Sequence, residues 1–254
     1  MKIKVMTYNI WNYNEPWDVR LKLICEVIDS EKPDIIGLQE VRFDERRNAE
    51  QDQAEQIAER VGMSYIYQPA HIYSEKPRVE EGLAIMAKHP FTPLGYIKLT
   101  RDPGDRRDAH QRICLGASVK VNGREIGFFV THFSLSHQAR VRNAVETVKY
   151  VAGFRHRVKV LVGDFNSPPV LAPIRLLKGE KEVDGVKGFF VDAWEAANPG
   201  DPGCTFPSRK PWIRLDYVFV SGEAKAIEAH LAGTKARKGV YPSDHLAIVA
   251  TLEI

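Results

Sequence analysis

The chain of 254 residues holds only three cysteines, Cys25, Cys114 and Cys204. That number and spacing exclude a disulfide framework and a thiolate metal cage. Cys25 shares a helical face with Leu21 and Ile28, where a thiol packs as a small apolar group. Long hydrophobic runs are missing too: no stretch has the length and apolarity of a bilayer span. The opening MKIKVMTYNI turns polar too early for the apolar stretch of a secretory signal, so a cytoplasmic location is expected. There is no dense Lys/Arg tract, and a net charge of +3 permits a phosphate-bearing partner without demanding one. Repeats and low-complexity tracts are absent, and no composition shift marks a linker, so residues 1–254 read as a single domain. No Ser or Cys nucleophile motif occurs.

What is present is a succession of apolar strands and amphipathic stripes. KIKVMTYNI (2–10) and IIGLQEV (35–41) read as strands. Between them a helix over Trp17–Ser30 sets Trp17, Leu21, Ile24, Val27 and Ile28 on one stripe. Ala54, Ile57, Ala58 and Val61 mark a second helix, and GLAIMAK (82–88) a core strand. RICLGASVKV (112–121) and REIGFFVTHF (124–133) flank Asn122-Gly123, a two-residue hairpin signal. A helix carrying Val141, Ala144, Val145, Val148 and Val151 leads into VLVG (160–163). LDYVFVS (215–221) and HLAIVATLEI (245–254) are late strands. The stretches 71–81, 101–112, 198–213 and 232–243, rich in Pro, Gly and charge, are expected to be surface loops. His71, His110 and His137 are expected on the surface with them.

VLVG runs directly into Asp164, Phe165 and Asn166, and then Pro168-Pro169 close the segment. Asp, Asn, Ser and Pro all favour turns, each by its own mechanism. The same ending recurs elsewhere, however, with Asn9 in TYNI, Glu40 in LQEV, His132 in VTHF and Asp216 in RLDYVF. Ser243-Asp244-His245 adds a second histidine and another carboxylate. Strand ends deliver side chains to a concave rim, where ligands are commonly held. These residue types suit phosphoester chemistry. A hard cation such as Mg2+ takes oxygen ligands, usually one or two carboxylates plus substrate phosphate. Glu40, Asn9 and Asp244 can supply that set, whereas zinc would want more His or Cys. Asp164 can orient or deprotonate an attacking water. His245, held by Asp216, can meet the phosphate as a cation or act as an acid.

In this order TYNI, LQE, THF, GDFNSPP, RLDYVFVS and PSDH resemble the endonuclease/exonuclease/phosphatase superfamily of DNase I-like metal-dependent phosphoesterases, over residues 7 to 245. The resemblance implies an α/β fold built as a four-layer sandwich, two packed mixed β-sheets with helices outside. It implies Mg2+ or Mn2+ as cofactor, with Glu40 the principal ligand, Asn9 beside it and Asp244 near the metal. By the same resemblance Asp164 and Asn166 handle the water and the phosphate, and Asp216 and His245 form a pair. His132 stands where DNase I-like, sphingomyelinase-like and phosphatase-like members carry a histidine. Ile10-Trp11-Asn12 after Asn9 departs from the pattern of many AP endonucleases.

The expected activity is a Mg2+/Mn2+-dependent phosphodiesterase with direct attack by water, first of all a nuclease on DNA or RNA, because the loops carry scattered Arg and Lys. A small or lipid-linked phosphoester is the alternative substrate. A catalytically silent scaffold is the alternative of another class, and the intact polar set weighs against it. Arg112, Arg209 and Trp11 are candidates for substrate contact, with packing beside the pocket as the other role for Trp11. Arg106, Arg107, Arg140, Arg142, Lys210 and Arg214 are further loop or helix cations that can reach phosphate or merely solvate the surface. A monomer without an obligate protein partner is expected.

Overall fold

The computed structural model describes residues 1–47 and 50–254. In chain order it begins β1 (Lys2–Asn9), α1 (Trp17–Glu31), β2 (Ile35–Asp44), α2 (Gln53–Val61), β3 (Ser64–Glu75) and β4 (Arg78–Ala87). β5 (Phe91–Leu99), β6 (Arg112–Val121), β7 (Arg124–His132), α3 (His137–Ala152), β8 (Val158–Asp164) and α4 (Ala172–Leu177) follow. The two-residue strands β9 (Glu182–Val183), β10 (Val186–Lys187) and β11 (Val191–Asp192) precede α5 (Ala193–Ala197). The chain closes with β12 (Asp216–Gly222), β13 (Lys225–Ala232) and β14 (Ala247–Glu253).

Among the described residues two six-stranded sheets form, ordered β13-β14-β1-β2-β4-β3 and β11-β12-β8-β7-β6-β5, with a small β9–β10 hairpin apart from them. Both large sheets are mixed: β1 pairs parallel with β2 and antiparallel with β14, and β8 pairs parallel with β7 and antiparallel with β12. Alternate residues serve different layers. In β1, Ile3 and Val5 face the space between the sheets, while Met6 and Tyr8 join the cluster under α1 and α2. In β8, Val160 and Val162 face the other sheet, and Leu161 packs with Val148 and Ile174 of α3 and α4. Where both faces are buried the sequence turns apolar on successive residues, Val5-Met6 in β1 and Val160–Val162 in β8, while Lys2, Lys4 and Lys159 mark the less buried strand starts. The result is the four-layer sandwich: helices, sheet, sheet, helices. Cys25 lies in the core beneath α1 beside Leu21 and Ile28.

The sheets approach closely at β2 and β8. A Cβ at Gly37 would sit 2.4 Å from Val162 Cγ2, so the absence of a side chain there sets the spacing. The topology brings the carboxyl ends of β1, β2, β7 and β8 and the amino ends of β12 and β14 to one rim.

Residues 71–81 are not a loop. They form the end of β3, a turn at Lys76–Pro77 and the start of β4. β3, β5 and β13 all lie at sheet edges, where one side of the ladder is solvated and the apolar pattern thins. No helix among the described residues is long and apolar enough to cross a membrane.

Candidate active site

Strand register places the central residues side by side. On β8, Asp164 lies opposite Asp216 of β12 and beside His132 of β7. Its two oxygens have separate tasks. Oδ1 accepts the Asn166 backbone N–H at 2.8 Å and closes a turn in which Asn166 takes a positive φ of 48°. Oδ2 accepts from Asn9 Nδ2 at 3.1 Å and lies 3.5 Å from His132 Nε2 and 3.7 Å from His245 Nε2. Asn166 Nδ2 donates to Phe133 O at 2.9 Å, tying the turn to the end of β7. The GDFN segment is therefore a turn and a mount at once.

Glu40 reaches the same rim by a different device. A bulge between Leu38 and Val41 interrupts the β2–β4 ladder, and Glu40 adopts a φ of 55°. Its carboxylate accepts from Asn9 Nδ2 at 3.0 Å and from Asn12 Nδ2 at 3.1 Å. Asn9 Oδ1 is taken by the Trp11 N–H at 3.0 Å, so the amide nitrogen of Asn9 faces both Glu40 and Asp164. Asp244 is anchored to this end by its neighbour, since Ser243 Oγ donates to Asn9 O at 2.6 Å.

The charges are set by neighbours. Burial alone would lower the His245 imidazole, but the carboxylates of Asp216 and Asp164 reverse this and carry its pKa up to about 10. Its Nδ1 donates to Asp216 Oδ2 at 2.8 Å. Phe206 covers the ring at 4.8 Å between centroids. Burial pushes Asp164 up to about 7 against the pull of His245, with Asp216 adding repulsion. Burial, Arg112 and His245 hold His132 well below the ordinary histidine range, so it is neutral. Arg112 Nη1 lies 2.9 Å from His132 Nδ1, and a guanidinium can only donate. The proton of His132 is therefore on Nε2, which faces Asp164.

Asp164, Asp216 and His245 bring possible ligand atoms within 4.8 Å of one another. A protonated imidazole has no lone pair to offer a metal, so this trio suits proton handling and phosphate binding. Glu40 and Asp244 are different. Burial raises the Glu40 carboxyl, and the carboxylate of Glu81 raises it further. Burial carries Asp244 up to about 6 against the pull of His245, with Glu40 adding repulsion. Neither carboxylate enters an ion pair with Lys, Arg or His among the described residues. Half-buried, mutually repelling carboxylates that no protein cation pairs directly fit a hard divalent ion.

Several participants carry no motif. Arg20 is buried at 1% exposure and donates from Nε to Pro242 O at 2.9 Å and from Nη1 to Asn12 O and Asn14 O at 3.1 and 2.7 Å. Its Nη2 also donates to Ile10 O. It thus ties the loop that carries Asn12 to the segment that leads to Asp244. The available signal was a charge placed inside the apolar stripe of α1. Glu81 is buried on β4 and paired with Arg42 at 2.8 Å. His71, expected on a surface loop, lies on β3 and stacks on His110 at 4.8 Å, and both line a small cleft with Arg112 and His132. His137 is exposed, as expected.

Trp11 and Arg209 line a cleft of about 300 Å³ with Ser208 and Asp244, and the Arg20 guanidinium stands 4.9 Å from the Trp11 ring. Arg106 and Arg107 are exposed. Arg142 is 3.4 Å from Asp108, and Arg140 donates to Leu135 O at 3.3 Å. Arg214, on the loop before β12, is not a solvated cation: it is buried against Asp192 and Glu195 at 3.1 and 2.9 Å.

Residues 6–245 match the profile of the family described as Endonuclease/Exonuclease/phosphatase. No curated protein matches the sequence significantly. Among solved structures, an endonuclease/exonuclease/phosphatase family protein from Bacteroides thetaiotaomicron superposes with a TM-score of 0.75 at 22% identity, covering 99% of this chain and 97% of its own. A mannosyl-6-phosphatase from B. thetaiotaomicron VPI-5482 does so with a TM-score of 0.75 at 21% identity, covering 99% and 100%. A humanized D. rerio TDP2 gives 0.72 at 17% identity, covering 100% and 99%.

Proposed function

The chain belongs to the endonuclease/exonuclease/phosphatase family of phosphoester hydrolases, and from that premise we propose that it cleaves phosphodiesters of nucleic acid by direct attack of water, with Mg2+ or Mn2+ as cofactor. The observation that carries this reading is the convergence of Asn9 Nδ2, His132 Nε2 and His245 Nε2 on one oxygen of Asp164. A base, a neutral donor and a cation surround one small volume.

Asp164 Oδ2 takes the proton of the attacking water, and a pKa near 7 suits that task at neutral pH. Asn9 orients the carboxylate. His245, kept cationic by Asp216, donates from Nε2 to a phosphoryl oxygen and balances the charge that grows there. His132 donates from Nε2 to a second phosphoryl oxygen, its tautomer fixed by Arg112. Asn166 holds the turn that aims Asp164. Glu40, with Asp244 beside it, would hold the divalent cation, which would supply positive charge against the phosphoryl group. The new bond is water oxygen to phosphorus, the bond to the leaving oxygen breaks, and that oxygen takes a proton from solvent.

The likeness to a mannosyl-6-phosphatase makes a sugar phosphate monoester the second reading. Initial rates on single- and double-stranded DNA, RNA, bis-p-nitrophenyl phosphate, sphingomyelin and mannose 6-phosphate, each with and without EDTA, separate the two. Metal-dependent cleavage of an oligonucleotide is the expected result. Turnover of monoesters alone would replace the proposal with its rival.

A further inference from the structure

Three side chains on the rim are left without an internal role. Leu135, Val170 and Trp212 are 58%, 76% and 69% exposed, the most exposed large hydrophobics among the described residues. Their loops leave β7, leave β8 and enter β12, three strands adjacent in one sheet. The apolar tips therefore stand in a row beside the reacting centre. Trp212 is the one firmly held. Its backbone N–H donates to Phe206 O at 3.0 Å, and Phe206 and Ile213 form an isolated β-bridge that closes the loop. Phe206 is also the ring that covers His245. The backbone that carries the indole is thus tied to the phosphate site.

Trp212 walls a cleft of about 420 Å³ together with Pro168 and Pro169, the residues that follow the GDFN turn. Arg214 and Glu195 line it as well. The Arg214 side chain is 3% exposed and spends Nη2 on Asp192 and Glu195. Its Nε and Nη1 have no hydrogen-bond partner among the described residues. Both atoms are shut off from the cleft, and the guanidinium stands 4.9 Å from the Tyr217 ring, so this side chain braces the cleft wall from behind. The cleft therefore offers a flat aromatic wall and proline sides. Arg209 and Lys210 on the same loop are exposed and enter no ion pair among the described residues. A flat ring attached to an anionic chain that these cations can meet is an unpaired nucleobase on its backbone.

We propose that this cleft receives a base of the strand whose phosphate lies at Asp164, with the base stacked on Trp212 between the proline sides. The assignment rests on the nucleic-acid reading above and adds to it a second binding site, a preference for unpaired bases.

The test uses the Asp164→Asn protein and two fluorescent single-stranded oligonucleotides of equal length. One carries bases throughout and the other is abasic, so both present the same phosphates. Trp212→Ala is expected to weaken binding of the base-bearing strand by about 10-fold, within the range for loss of one base–aromatic stack. Binding of the abasic strand is expected to stay unchanged, and Trp212→Phe, which keeps a flat ring, to restore most of the loss. An unchanged Kd for the base-bearing strand in Trp212→Ala, or an equal loss with the abasic strand, would overturn the assignment. Cleavage by the Asp164-intact protein separates the two failures. If it cuts oligonucleotides while Trp212→Ala leaves Kd untouched, the base cleft alone is wrong. If it cuts no oligonucleotide but hydrolyses mannose 6-phosphate, the nucleic-acid reading fails and the cleft assignment falls with it.

Discussion

A single carboxylate, Asp164, gives one oxygen to the turn at Asn166 and the other to Asn9, His132 and His245. The pH profile of kcat/KM should report both sides of this arrangement. In the proposed mechanism Asp164 acts deprotonated, so activity should rise with pH through about 7, and His245 acts protonated, so activity should fall again through about 10. Asp216→Asn removes the leading charge that raises His245, so the alkaline limb should move to lower pH in that variant. An alkaline limb that stays in place would detach His245 from Asp216. The two residues also act as one unit, so Asp216→Asn and His245→Ala should be far from additive in a double-mutant cycle on kcat. Full additivity would make them independent. These residues were legible in the sequence because carboxylates and imidazoles at the ends of apolar strands have no place in a core. Arg20, Glu81 and Asn12 were not, because their roles depend on which distant backbone or carboxylate they meet.

Element by element, the plain strands were those buried on both faces, β1, β2, β7, β8, β12 and β14, and the Asn122-Gly123 hairpin. The edge strands β3, β5 and β13 escaped notice because they are half solvated and carry bulges, which breaks the alternation that a strand reading needs. The bulge at Glu40 was invisible for a related reason, since the backbone turn there is dictated by pairing with β4 and not by any local turn signal. Sheet spacing gives a prediction at this scale. Gly37→Ala places a methyl against Val162 where no space exists, and should destabilise by ~1–3 kcal/mol, a fall of several degrees in Tm. Gly104→Ala, where a Cβ would meet only the Asp102 side chain, should be close to neutral. Equal melting temperatures for the two variants would show that the sheets can part at no loss.

For the whole molecule, the four layers bring one rim of two sheets together, and both the proposed cation ligands Glu40 and Asp244 and the trio Asp164, Asp216 and His245 lie on it. The net charge of +3 is too small to select a polyanion by itself, so any affinity for nucleic acid must come from particular arginines. Binding of a single-stranded oligonucleotide to the Asp164→Asn protein should therefore weaken with salt at a log–log slope of roughly −0.7 per phosphate contact. Replacing Arg107 and Arg209 by Ala should flatten that slope, and an unaltered slope would remove both from the binding surface. The central claim is that Glu40 holds a divalent cation without which the rim hydrolyses nothing. Initial rates of diester hydrolysis, measured as EDTA-treated protein is titrated with Mn2+, test it in the native chain and in Glu40→Gln. The account predicts no turnover in EDTA, saturable recovery in the native protein, and recovery in Glu40→Gln only at much higher Mn2+, with the fold intact by circular dichroism. Turnover that persists in EDTA, or coincident Mn2+ curves for the two proteins, would contradict it.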